Sequence, residues 1–161
     1  MGSRALKAGG ARTAVSAATG GGFLFPVCVR PERVVELLRR LASNDGHGAH
    51  DGRMALDAAR RLGLVEQDGA GRPAPTGAGR AVAECGCARP LADAVASAEP
   101  FATVIRLLRA RGNLWREDVL KIVGEAGYSD PWEALGCVLY WLIYLGLADY
   151  DSEDGILRPL S

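Results

Sequence analysis

Residues 131–160 read PWEALGCVLYWLIYLGLADYDSEDGILRPL, and this stretch decides the expected fold. Residues 131–145 are mostly apolar and follow Ser129 and Asp130, either of which suits a helix N-cap, so they predict a long helix that Gly146 ends. The acidic, glycine-containing residues 152–155 are typical of a hairpin turn. Residues 147–150 and 156–160 on either side of that turn therefore predict two paired strands.

The same order of elements occurs earlier in the chain. Residues 62–66 read LGLVE and residues 145–149 read LGLAD, and a glycine-rich turn at 68–71 follows the first phrase. Helices followed by one small hairpin are typical of the winged helix, a helix-turn-helix elaborated with a β-wing. We therefore predict a mainly α-helical protein with small β-hairpins, arranged as a tandem winged helix-turn-helix.

The remaining elements are predicted from caps and apolar spacing. Pro31 begins a helix whose apolar residues recur at helical spacing, and residues 51–62 form a second helix. Thr76 caps a helix that runs to residue 83 or 84. In the second half, Pro100 begins a helix and residues 115–123 form a shorter one.

The chain divides into three expected segments. Residues 1–22 are rich in Gly, Ala, Ser and Thr and contain no acidic residue, which predicts a disordered tail. Residues 23–98 form a first winged-helix-like unit whose middle helix is short or missing, because residues 44–50 leave little room for it. Residues 99–161 form the second unit. Residues 23–29 are expected to add a short strand or clip to the folded part.

Charge and composition exclude several classes of protein. The chain has 19 basic and 19 acidic residues, and a main role in holding a phosphate backbone usually requires a strongly basic surface. No apolar run approaches the length of a membrane helix. Because the sequence has no secretion signal, we expect a cytoplasmic protein without a membrane partner. Few amide side chains and many arginines fit a thermophile, and a GC-rich genome gives the same bias.

The zero net charge hides an uneven distribution. Residues 1–98 contain 13 basic and 9 acidic residues, whereas residues 99–161 contain 6 basic and 10 acidic residues. This opposite balance favours a contact between the two units, or between opposite ends of two chains.

Several stretches carry a resemblance to known proteins. Residues 76–84 read TGAGRAVAE, which is similar to a phrase that follows the wing in many winged-helix proteins. Residues 101–111, 115–120 and 132–160 resemble the AAA-associated C-terminal domain, a tandem winged-helix-like module found behind nitrate/sulfonate-type ABC transporter ATPases, largely in archaea and some bacteria. This resemblance covers roughly residues 33–160. This chain carries no phosphate-binding GxxxxGK[ST] motif, so the resemblance implies a free-standing regulatory or interaction module without catalytic residues.

The apolar helix at 131–145 predicts an interface. Its apolar residues occupy more than one face, and a domain this small does not easily surround a helix on every side. We expect part of this surface to pack against the other unit, a protein partner or a second chain. The candidate interface residues are Trp132, Leu135, Leu139, Tyr140 and Tyr144.

A DNA-binding role is the alternative, and only the first unit supports it. Residues 129–161 contain one basic and six acidic residues, a balance that repels a phosphate backbone. The first unit carries basic residues on its second helix, in its wing and after the wing. These candidate nucleic-acid contacts are Arg53, Arg60, Arg61, Arg72 and Arg80, and nearby acidic residues almost cancel their charge.

The cysteines and histidines leave two further hypotheses. His47, His50, Cys85 and Cys87 offer a ligand set that tetrahedral zinc accepts, although their spacing is irregular and the more ordinary interpretation is a flexible loop beside a turn. A disulfide joining Cys85 or Cys87 to Cys28 or Cys137 is the other option, and Cys137 alone is expected to be a small buried hydrophobe. No catalytic constellation, cofactor motif or small-molecule substrate is evident, so we expect a non-enzymatic protein.

Overall fold

Helices predominate in the part of the chain that the structure, a computed structural model, describes: residues 24–43, 52–86 and 88–160. The helices are α1 Pro31–Ala42, α2 Arg53–Arg61, α3 Gly77–Cys85, α4 Arg89–Ala96, α5 Phe101–Arg111, α6 Arg116–Ala126 and α7 Pro131–Tyr144. The strands are β1 Val65–Gln67, β2 Pro73–Pro75, β3 Leu114–Trp115, β4 Ala148–Asp151 and β5 Ile156–Pro159. The prediction of a mainly α-helical protein with small antiparallel sheets is confirmed.

The first hairpin pairs β1 with β2 in antiparallel register, with Val65 opposite Pro75. Its turn is held by the carboxylate of Asp68, which accepts hydrogen bonds from the backbone N–H groups of Ala70 and Arg72 at 2.8 and 2.9 Å. These hydrogen bonds hold the pKa of Asp68 below its ordinary value, and the bond from Arg72 contributes more than the bond from Ala70. The predicted strand–turn–strand after α2 is therefore confirmed.

Thr76 caps α3 as its position predicts. Its hydroxyl accepts a hydrogen bond from the backbone N–H of Gly79 at 3.1 Å and donates one to the carbonyl of Gly63 at 2.8 Å. The cap therefore fastens the start of α3 to the end of α2. This geometry brings the backbone of α3 against Leu64, the residue that precedes β1.

Gly79 is required by that close approach. A Cβ atom at Gly79 would lie 2.0 Å from the backbone oxygen of Leu64, whereas one at Gly77 in the same helix would meet nothing within 4 Å. We expect Gly79→Ala to lower the free energy of unfolding by about 1–3 kcal/mol, measured by urea denaturation, because the backbones of α3 and Leu64 must separate. Gly77→Ala is the matched control and should not destabilise the protein. Equal stability of the two variants would contradict this explanation.

The second half has the order α5, β3, α6, α7, β4, β5. Its three strands form one antiparallel sheet in which β5 lies between β3 and β4. The Asp151 carboxylate accepts bonds from the N–H groups of Glu153 and Asp154 in the hairpin turn. The predicted hairpin is confirmed, whereas α4 and the two-residue strand β3 were not predicted.

Residues 24–30 form an irregular segment, here called the N-terminal strap, that packs against α7. The strap buries Phe25, Val27 and Val29 in the core and forms no strand. The indole N–H of the fully buried Trp141 lies 2.9 Å from the carbonyl oxygen of Val27 and 2.8 Å from that of Val29. We expected residues 23–29 to add either a short strand or a clip to the folded part. The described residues of this segment form a clip, an irregular segment held against the core.

A disulfide joins the strap to α7 and corrects the cysteine predictions. Cys28 is bonded to Cys137, so Cys137 is not an isolated buried thiol and neither residue pairs with Cys85. Cys85 is itself disulfide-bonded. The predicted pairing was wrong because the bond depends on the strap crossing α7. This crossing brings together residues 109 positions apart, and no local sequence pattern indicates it.

Several expectations concern residues outside the described ranges. The disordered tail at 1–22, the short or missing helix near 44–50, and His47, His50 and Cys87 all fall there. They stay predictions.

Candidate functional site

Helix α7 presents an exposed aromatic face. The face consists of Trp132, Gly136, Tyr140, Ile143 and Tyr144, which lie within about one third of the helix circumference at 100° per residue. Trp132 is 62% exposed, and Tyr140, Ile143 and Tyr144 are also exposed. Among the described residues, four of the seven exposed large hydrophobic side chains belong to this helix, which marks it as the main apolar surface.

The structure separates the five predicted interface residues into two groups. Leu135 and Leu139 are buried in the core of their own chain, on the side of α7 that packs inward. Trp132, Tyr140 and Tyr144 remain at the surface. A sequence pattern cannot separate these groups because the helix is apolar on both sides, so the core side is fixed only by the elements that pack on it.

Gly136 opens a notch in the aromatic face. A Cβ atom at Gly136 would have no neighbour within 4 Å, and a cleft of about 420 Å³ lies beside it. The aromatic rings of Trp132 and Tyr140 line this cleft from α7, and Cys28 and Arg30 line it from the strap. The notch and its flanking rings can therefore receive a large side chain from another surface.

The C-terminal half of the aromatic face meets the first half of the chain. The Tyr140 hydroxyl donates to the carboxylate of Glu32 in α1 at 2.5 Å, and the Tyr140 and Tyr144 rings stack with centroids 6.4 Å apart. The hydrogen bond to Glu32 raises the pKa of Tyr140 above its ordinary value. These contacts hold the two tyrosines in place, so Trp132 is left as the most exposed member of the face.

Charged side chains flank both ends of the aromatic face. Asp130 caps α7 by accepting a bond from the backbone N–H of Glu133, so two carboxylates lie at its N-terminal end, and Arg30 of the strap lines the cleft beside them. At the other end, Tyr144 lines a cleft that Glu32 and Arg39 of α1 also line. Both ends of the face therefore have acidic and basic side chains beside them.

The five predicted nucleic-acid contacts do not form one surface of unpaired charge. Arg61 lies 3.1 Å from the Asp57 carboxylate, and Arg72 lies 3.7 Å from that of Asp68. Arg53 and Arg60 are exposed on α2, and Arg80 is exposed on α3. Within the described ranges, these last three arginines have no ion pair.

The described residues contain no group of three or more metal-ligating side chains. Of the four zinc candidates, Cys85 is disulfide-bonded and so supplies no thiolate. His47, His50 and Cys87 lie outside the described ranges. No helix in the described ranges is long and apolar enough to cross a membrane.

Comparison with known proteins gives no match: neither a family model, nor a curated protein, nor a solved structure matches this chain. The resemblance to the AAA-associated C-terminal domain therefore stays a prediction.

Proposed function

We propose that the chain is a non-enzymatic interaction module of tandem winged-helix type that self-associates through the aromatic face of α7. The order of elements in the second half and the strand order β3-β5-β4 support the winged-helix assignment for that unit. In the first half, α2 and the β1–β2 hairpin support the same assignment. The resemblance to the AAA-associated C-terminal domain agrees with a regulatory role.

The observation that carries the proposal is the exposure of Trp132 beside the Gly136 notch. An exposed tryptophan on an apolar helix face is typical of the anchor of a protein interface. Trp132 and Tyr144 are twelve residues apart, which corresponds to about 18 Å along the helix. A strip of this length can pair with an equal strip on another helix.

Geometry favours a second copy of this chain as the partner. If two α7 helices pack antiparallel about a twofold axis, Trp132 of each copy can lie opposite Tyr144 of the other. In that register the Tyr140 side chain of each copy lies opposite the Gly136 notch of the other. The face is therefore complementary to itself in shape.

The Trp132→Ala variant tests this surface. We expect the dissociation constant of the dimer to rise by about thirtyfold or more, because truncating an anchor tryptophan costs about 2 kcal/mol or more. Analytical ultracentrifugation over a concentration series measures the shift. Trp115→Ala is the matched control, since Trp115 is 54% exposed but lies on β3, and it should leave the dissociation constant unchanged. Equal effects of the two variants would contradict the assignment of the interface to α7.

DNA binding through the first unit is the second candidate, and Arg53 and Arg60 favour it, because both are exposed on α2 and have no ion pair with the described residues. If the arginines hold phosphates, duplex DNA should bind with an affinity that falls steeply with salt, and Arg53→Gln/Arg60→Gln should reduce both the affinity and the salt slope. Fluorescence anisotropy with labelled duplex measures both quantities. Absent or salt-independent binding removes this candidate.

The disulfides bear on the compartment. We propose the cytoplasm on the sequence argument, in a cell whose cytosol tolerates protein disulfides, as hyperthermophile cytosols do.

A further inference from the structure

A second cleft, separate from the aromatic face, lies between α2, the strap and the loop that carries Tyr128. Its volume is about 630 Å³, which falls in the range of small-molecule sites. Most of its lining is apolar. We call this apolar part the floor of the cleft, and it consists of Leu24, Phe25, Pro26, Met54, Leu56 and the ring of Tyr128. Met54 is more than half exposed, so the floor presents apolar surface that nothing in the described chain covers.

Two guanidinium groups line the same cleft. Arg53 and Arg60 are two turns apart on α2 and exposed, and their guanidinium groups have no ion pair or hydrogen bond with the described residues. Asp57 also lines the cleft between them, and its carboxylate is bound by Arg61 at 3.1 Å, so the lining has two guanidinium groups and one carboxylate. The cleft therefore combines an apolar floor with a surplus of positive charge.

Tyr128 adds no negative charge to this cleft. Its hydroxyl donates to the carbonyl of Phe25 at 2.7 Å, which fixes the strap as one wall. Burial raises the pKa of Tyr128 to about 12, so the phenol is neutral at pH 7. The hydrogen-bond donors available to a ligand carboxylate are the guanidinium N–H groups of Arg53 and Arg60.

We propose that this cleft binds an amphipathic carboxylate, a small molecule with an apolar body and one carboxylate group. The body lies on the floor beside Met54 and Leu56, and the carboxylate accepts hydrogen bonds from Arg53 or Arg60. Arginine binds carboxylates through paired N–H donors, which suits it to this role. A nucleic acid fits less well, because its phosphate backbone offers nothing to the apolar floor.

Isothermal titration calorimetry of the full chain with decanoate tests the proposal, with decanol as the uncharged comparison. We expect one decanoate per chain and binding of decanol at least about tenfold weaker, because decanol cannot form the charged hydrogen bonds. Arg53→Gln/Arg60→Gln should weaken decanoate binding by about tenfold. Arg80→Gln/Arg109→Gln is the matched control: it removes the same charge from exposed helix positions that do not line the cleft, and binding should be unchanged.

Met54→Ala provides a second test at an exposed position, where the variant should fold normally. This variant should weaken the binding of decanoate and of decanol by the same factor, because it removes apolar contact surface from the floor and removes no charge. The proposal would be overturned by no decanoate binding, by equal binding of decanoate and decanol, or by equal effects of the two arginine pairs. Displacement of decanoate by duplex DNA would assign the arginines to nucleic acid instead and would also overturn it.

Discussion

We expect the Trp141→Ala substitution to lower the free energy of unfolding by about 3–5 kcal/mol, the range for removing a large buried aromatic side chain. Trp141 is fully buried and packs edge-on against Phe25, with ring centroids 5.7 Å apart. Phe25 in turn packs against Phe101 of α5 at 5.3 Å. Removing the indole therefore loosens the strap, α7 and α5 together. Urea denaturation followed by circular dichroism measures the loss.

Trp141→Phe separates packing from hydrogen bonding. This variant keeps an aromatic ring but leaves the carbonyls of Val27 and Val29 without their indole donor. We expect a smaller loss of about 1–3 kcal/mol, the cost of leaving a buried polar group unpaired. A Phe variant as stable as the wild type would show that the indole N–H does not hold the strap.

Removing the Cys28–Cys137 bond should produce the second large effect. The bond closes a loop between residues 109 positions apart, and chain-entropy arguments give about 4–5 kcal/mol for a loop of that size. We expect Cys28→Ala/Cys137→Ala to lower the free energy of unfolding by about 2–5 kcal/mol, measured by urea denaturation under oxidising conditions.

The single variants provide the control for this experiment. Cys28→Ala and Cys137→Ala each break the same bond, so each should lose about as much stability as the double variant. Additive losses in the two single variants, or a double variant as stable as the wild type, would contradict a structural role for the bond.

Local signals in the sequence account for much of the fold. Two helix starts are marked by Pro31 and Thr76, through their own backbone preferences. The LGL phrases at 62–64 and 145–147 mark the end of a helix and the start of a strand, and the strands begin close to where these phrases predict. The strand β3 has only two residues, too few for an apolar pattern, and exists because β5 offers it a pairing edge. Helix α4 begins at Arg89 without a side-chain cap; Pro90 in its first turn is a start signal, but the helix has only 8 residues and was not predicted.

The candidate surface was predicted only in part, for a related reason. Apolar spacing indicated α7, but it did not distinguish the buried Leu135 and Leu139 from the exposed Trp132. That distinction depends on α6, the sheet and the strap, which cover one side of α7. The strap's contacts with Trp141 and Cys137 join distant parts of the chain, and such pairs leave no local pattern. The absence of a side chain at Gly136 was the one available sign of a notch.

The molar mass of the full chain in solution tests the central claim most directly. Size-exclusion chromatography with multi-angle light scattering, run over a concentration series, should give twice the chain mass of 16.9 kDa at high concentration. Trp132→Ala should return the mass to that of one chain over the same range, because it removes the anchor of the interface. A wild-type protein that keeps the mass of a single chain at every concentration would contradict self-association through α7.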